Sequence, residues 1–136
     1  MLIHTAFSVI ALTTMALMMM NTQDNNRDTI TPAEVQELME KDSTVLLLDV
    51  RTNDEYNSST GHLRRSVLIP VQELAARLGE LAPYKNNTII AICRSGNRSK
   101  LATSTLGGQG YRALNMVGGM TRWNIEGRPV EHAEQK

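Results

Sequence analysis

Apolar residues along this chain come in two patterns, short unbroken runs and stripes at helical spacing, and the two alternate. Residues 45–50 and 88–92 are runs rich in Leu, Ile and Val, as suits strands buried on both faces of a parallel sheet. Residues 67–69 predict a brief strand stopped by Pro70, and residues 113–117 a last one. Between them lie helical patterns. Thr31-Pro32-Ala33-Glu34 reads as a capping box with proline at the first helical position, and Val35, Leu38 and Met39 follow as an apolar face. Residues 52–57 suit a short helical turn, and residues 71–81 a helix with Leu74, Leu78 and Leu81 inward. Residues 99–109 predict a helix closed by Gly110, and residues 120–126 a final helix. Strands alternating with helices predict an α/β fold with a mainly parallel sheet covered on both faces.

In such sheets ligands bind beyond the carboxyl ends of the strands. Run 45–50 delivers Asp49 and Arg51 to that rim, and run 88–92 delivers Cys93. These three residues are therefore expected on one side of the molecule.

Length and composition narrow the picture. The 136 residues suit one domain, and a net charge of zero argues against bulk binding to nucleic acid or to an acidic membrane surface. A single cysteine leaves no internal disulfide and no zinc site, and neither a metal nor a cofactor is expected. The chain divides into an apolar leader with a polar linker (1–27), a globular domain (28–131) and a polar tail (132–136). From Thr5 to Met20 the leader is mostly apolar, short for a membrane span and suited to a signal-peptide core. No Lys or Arg precedes it and no Ala-x-Ala site follows it. The expectation is export, periplasmic in a bacterium, or an uncleaved membrane anchor, with a cytoplasmic location as the alternative. A lone thiol in an oxidising compartment would be a liability without a task.

That thiol opens the segment Cys93-Arg94-Ser95-Gly96-Asn97-Arg98-Ser99. A strand–loop–helix junction aims successive backbone N–H groups and the positive end of a helix at one point. Such a point favours a Cys93 thiolate and an anionic substrate beside it, with Arg94, Ser95, Gly96, Asn97, Arg98 and Ser99 as the binding residues. Gly96 suits a conformation closed to residues with a Cβ, and Ser95 and Ser99 can donate hydrogen bonds. Ser99 could equally cap the helix, and an inert buried thiol is the plainer account of a lone cysteine. A strand terminus followed by a glycine and two arginines favours the nucleophile.

Residues 93–99 closely resemble the active-site loop of rhodanese-type sulfurtransferases. Three further segments resemble that family's signatures in the same order. They are Asp49-Val50-Arg51 with Glu55-Tyr56, then Gly61-His62 leading into Val67-Leu68-Ile69-Pro70, then Gly118-Gly119-Met120 with Trp123 and residues 127–131. The resemblance spans residues 28–131. It implies a rhodanese-like three-layer domain around a five-stranded sheet, with the nucleophile loop at its centre. It further implies that Cys93 takes a sulfur atom from thiosulfate or a related small anion as a persulfide, and passes it to cyanide or a thiol. By the same resemblance Arg98 neutralises the substrate, Asp49 and Arg51 order the loops, and His62 is architectural. Arg64-Arg65-Ser66 departs from the family's common Pro-Gly-Ala; the two arginines could recruit an anionic donor or sit idle in solvent. Three alternatives accompany this reading: a carrier that holds persulfide sulfur for a protein acceptor, a non-catalytic binding module, and a phosphatase of the same fold. Phosphatases of that kind place five residues between cysteine and arginine, whereas only Arg94, Ser95, Gly96 and Asn97 separate Cys93 from Arg98.

Overall fold

The computed structural model describes residues 27–133, and within them every paired strand runs parallel to its neighbour. In chain order the elements are β1 (Thr29–Ile30), α1 (Pro32–Lys41), β2 (Leu46–Asp49), α2 (Asn53–Tyr56) and β3 (Val67–Leu68). Two 3₁₀ segments follow (Val71–Glu73 and Ala75–Tyr84), then β4 (Thr88–Ile92), α3 (Asn97–Gly108), β5 (Arg112–Met116) and α4 (Gly119–Ile125). The sheet order is β1-β5-β4-β2-β3, which puts β4 in the middle. The expected leader from Thr5 to Met20 and the end of the tail lie outside the described residues. Among those described, no helix is long and apolar enough to cross a membrane.

Side chains alternate across a strand, so each run of consecutive apolar residues feeds two cores. Leu46, Leu48, Ile89 and Ala91 pack with Ala102 and Leu106 of α3 and with Leu74 and Leu81. Leu47, Ile90 and Ile92 pack on the opposite face with Val35 of α1 and Met120 and Trp123 of α4. The result is three layers with the sheet between.

Thr31 and Thr52 each head a helix through a capping box, closed by Glu34 and Glu55 respectively. Two expectations need correction, and one element was not anticipated. Residues 71–81 are not an α-helix: Pro70, Gly79 and Pro83 lower α-propensity there, and the chain winds as 3₁₀ turns that still bury Leu74 and Leu81. The helix expected at 99–109 starts two residues earlier, at Asn97, so Ser99 is inside it and does not cap it. The N-cap is Gly96, with no side-chain cap bond. Finally, β1 is only a residue pair, too short to leave a period in the sequence; its register on Asn115 and Met116 supplies the fifth strand.

Candidate active site

Strand alternation decides where the thiol faces. Cys93 follows Ile89 and Ala91 in phase, so it sits in the core beneath α3 and is 1 % exposed. The chain must then turn within three residues to enter α3, and Gly96 does so at φ +105°, a region where a Cβ is strained. The turn brings the Gly96 N–H to 3.0 Å from Cys93 Sγ, and Ser99 Oγ to 3.2 Å. Burial pushes the thiol pKa up. Hydrogen bonds from the Ser99 hydroxyl and from the N–H groups of Ser99, Gly96 and Ser95 outweigh it, and the net direction is downward.

The loop is clamped from the far side by α4. Met120 N–H donates to Cys93 O at 2.8 Å and Thr121 N–H to Arg94 O at 2.9 Å. This docking requires Gly119: a Cβ there would lie 2.4 Å from Cys93 O and 2.5 Å from Arg94 O. Behind the loop, buried Asn115 on β5 meets both Ser99 and Gly96. Sequence reasoning missed this side chain, whose one signal is a polar residue in the otherwise apolar end of a strand.

Asp49 and Arg51 form a buried pair on the neighbouring strand end. Arg51 is 1 % exposed and Asp49 is fully buried, with Arg51 Nη2 2.8 Å from Asp49 Oδ2 and Nε 2.9 Å from Oδ1. The rest of the guanidinium donates to Gly61 O (2.8 Å), Thr60 Oγ1 (3.0 Å) and Glu55 O (3.3 Å). The pair thus gathers residues 52–61 onto the sheet.

Arg98 has a partner that sequence reasoning did not assign. Its guanidinium grips Glu55 with two bonds of 2.7 Å. The signal was the Thr52/Glu55 capping box, which leaves a carboxylate facing the rim. The bond to Arg98, ahead of those to Thr52, holds the Glu55 carboxyl at about 2. The same bond raises the Arg98 pKa, with smaller contributions from Cys93 and Asp49. Arg98 therefore brings positive charge near the sulfur while its fork is occupied. Because Glu55 titrates lower in the folded chain than its ordinary 4.5, the stability it confers is complete above that value. It is lost as pH falls from there toward about 2. In urea titrations between pH 6 and pH 2, the difference between wild type and Glu55→Gln should shrink over that window; a constant difference would overturn the assignment.

Arg94, Ser95, Asn97 and Lys100 are exposed around the loop. A groove of about 1090 Å³, lined by Ser95, Gly96, Asn97 and Lys100, runs from it along α3 toward Arg112. Arg64 and Arg65 lie apart from this groove. Arg65 adopts φ +65° and its Nη2 donates to Met39 O at 3.0 Å, so it ties residues 64–66 to α1. Arg64 lines a separate small cleft with Gln36, Met39 and Trp123. His62 donates from Nδ1 to Tyr56 O (3.0 Å), stacks on the Tyr56 ring at 3.9 Å, and pairs its backbone with Glu131. These contacts are architectural. Among the described residues no cluster of His, Cys, Asp and Glu could hold a metal ion.

Known proteins resemble this chain in sequence and in fold. The family model of the rhodanese-like domain matches residues 31–126. A sulfurtransferase of Allochromatium vinosum is 36% identical over 87 residues, covering 63% of this chain and 78% of that protein. YrkF of Bacillus subtilis, named as a candidate sulfur carrier, is 37% identical over 86 residues; the match takes in 62% of this chain but only 44% of that longer protein. Among solved structures, a rhodanese-like domain protein from Staphylococcus aureus superposes with a TM-score of 0.66 at 29% identity, covering 76% of this chain and 98% of that one.

Proposed function

The chain belongs to the rhodanese-like domain family and has a role in sulfur transfer, and from that premise we propose that Cys93 carries the sulfur as a persulfide. The observation that carries this reading is the convergence of three backbone N–H groups and a hydroxyl on one buried sulfur. In the first half-reaction the Cys93 thiolate attacks the outer sulfur of thiosulfate. A bond from Sγ to that sulfur forms, the sulfur–sulfur bond of the donor breaks, and sulfite leaves with the electron pair. In the second, cyanide or a thiolate attacks the terminal sulfur, and Cys93 is released as thiolate. Each state keeps a negative charge on sulfur within reach of the same donors, so little reorganisation is needed between steps. No side-chain base is required, since the proton has left before attack.

Charge at the mouth is divided. Arg98 is held by Glu55 and acts on the donor through its field, whereas Arg94 and Lys100 are exposed and meet an incoming anion first. A sulfur that is 1 % exposed suits a small donor better than a bulky one. The four-residue spacing to Arg98, together with the Glu55 clamp, disfavours a phosphatase, because the arginine is not turned into the loop to bracket a phosphoryl group. Similarity to YrkF favours a second reading, in which the acceptor is another protein and the persulfide is handed along the groove beside α3.

Intact mass measured before and after millimolar thiosulfate tests the proposal. One sulfur atom should be gained and then lost to cyanide. A chain that stays unmodified with thiosulfate, and also with a polysulfide donor, would end it. Release of sulfur to cyanide at negligible turnover, with rapid loss to a co-purifying protein, would select the carrier.

A further inference from the structure

Three hydrogen-bonding groups meet behind the nucleophile, and their protons cannot all be placed at once. Asn115 Nδ2 is 3.1 Å from Gly96 O, a carbonyl that only accepts, so the amide nitrogen must face the loop. Asn115 Oδ1 then faces Ser99 Oγ, 2.6 Å away, and takes the only proton that the Ser99 hydroxyl has. What Ser99 presents to Cys93 Sγ, at 3.2 Å, is therefore a lone pair. A lone pair suits a thiol, whose S–H can donate to it. It does not suit a thiolate or a persulfide anion.

We propose that Asn115 is a positioning residue for sulfur transfer, holding the Ser99 hydroxyl in reserve until Cys93 loses its proton. While the sulfur is protonated, the bonds run in one direction, from Cys93 to Ser99 to Asn115. When the proton leaves to solvent, the Ser99 hydroxyl turns from Oδ1 to Sγ and donates to the anion. Asn115 keeps its hold on Gly96 throughout, so the N–H cradle is unmoved while the hydroxyl changes partner. Ser99 and Asn115 are both buried, so water is not at hand to replace either bond. Asn115 thus competes with the sulfur for one hydrogen. Removing it should make the thiolate easier to form.

The inference takes its purpose from the sulfur-transfer reading above, but its test needs no sulfur donor. Cys93 is the chain's one thiol, so the rate of iodoacetamide alkylation against pH reports on it alone. Asn115→Leu keeps the volume and deletes both polar atoms. Its alkylation inflection should fall by about 0.5–1 unit, the worth of one neutral hydrogen bond. In a Ser99→Ala background the same substitution should leave the inflection where Ser99→Ala puts it. The other charged groups near the sulfur are common to all four proteins: Arg98 with Glu55, Asp49 with Arg51, and Arg94 in the loop. From α4 the Met120 and Thr121 backbone N–H groups donate to the loop, and Gly119 packs against it. An inflection that is unchanged or raised by Asn115→Leu, or that falls equally in both backgrounds, overturns the proposal. Circular dichroism establishes that each variant is folded, and Asn115→Ala is read by the same criterion if the leucine is not accommodated. A chain that takes no sulfur from any donor would end the proposed function while leaving these curves to decide the role of Asn115.

Discussion

Cys93→Ser is expected to remove thiosulfate:cyanide transfer by on the order of 10⁴-fold or more, with the fold retained. An oxygen nucleophile there keeps the Gly96 N–H as donor and Ser99 as a hydrogen-bond partner but cannot hold a sulfane sulfur for later release. It would also stay protonated, since an alcohol in the same cradle ionises far less readily than a thiol. The substitution is small and the new hydroxyl has a partner in Ser99, so stability should change by only about 1 kcal/mol. Thiocyanate formation measures the first effect and urea denaturation the second. Turnover by the serine variant within tenfold of wild type would show that the sulfur does not pass through residue 93.

Arg51→Ala should destabilise the domain by about 3–5 kcal/mol, because it leaves the Asp49 carboxylate buried without its partner. Three bonds from the guanidinium to other groups would go as well, those to Gly61 O, Thr60 Oγ1 and Glu55 O. Replacing both members, as Asp49→Leu with Arg51→Met, should cost far less, since no charge is then stranded. Urea midpoints of the two single variants and the double decide the matter. Equal loss in Arg51→Ala and the double would mean that tethering of residues 52–61 dominates. Loss under about 1 kcal/mol in the single variant would mean that the pair is not shielded from water.

The main elements were legible because their physics is local. An unbroken apolar run names a doubly covered strand, and Thr31 with Glu34 names a helix start, whatever the rest of the chain does. The 3₁₀ winding of residues 75–84 was not legible, because leucines three or four apart serve either helix, and Gly79 and Pro83 decide between them. Within the site, Cys93 and the turn at Gly96 could be placed from their own segment. The partners could not. Glu55 reaches Arg98 across forty-three positions, and Asn115 reaches Gly96 across nineteen, so each contact exists only once the sheet has assembled. Arg65 gives a further case. Its left-handed backbone stands where the resembled family commonly has glycine, at a cost of about 1–2 kcal/mol, and its bond to Met39 O offsets part of that strain.

The clamp on the nucleophile loop has a consequence for how the protein is made. Asn115, Gly119 and Met120 all follow Cys93 in the chain, and β5 must lie beside β4 before any of them can reach it. Chains emerge from the ribosome N-terminus first. During synthesis the thiol therefore appears before its walls do, open from every side rather than through the mouth of the loop alone. The sooner β5 and α4 close over β4 in the nascent chain, the shorter that exposure.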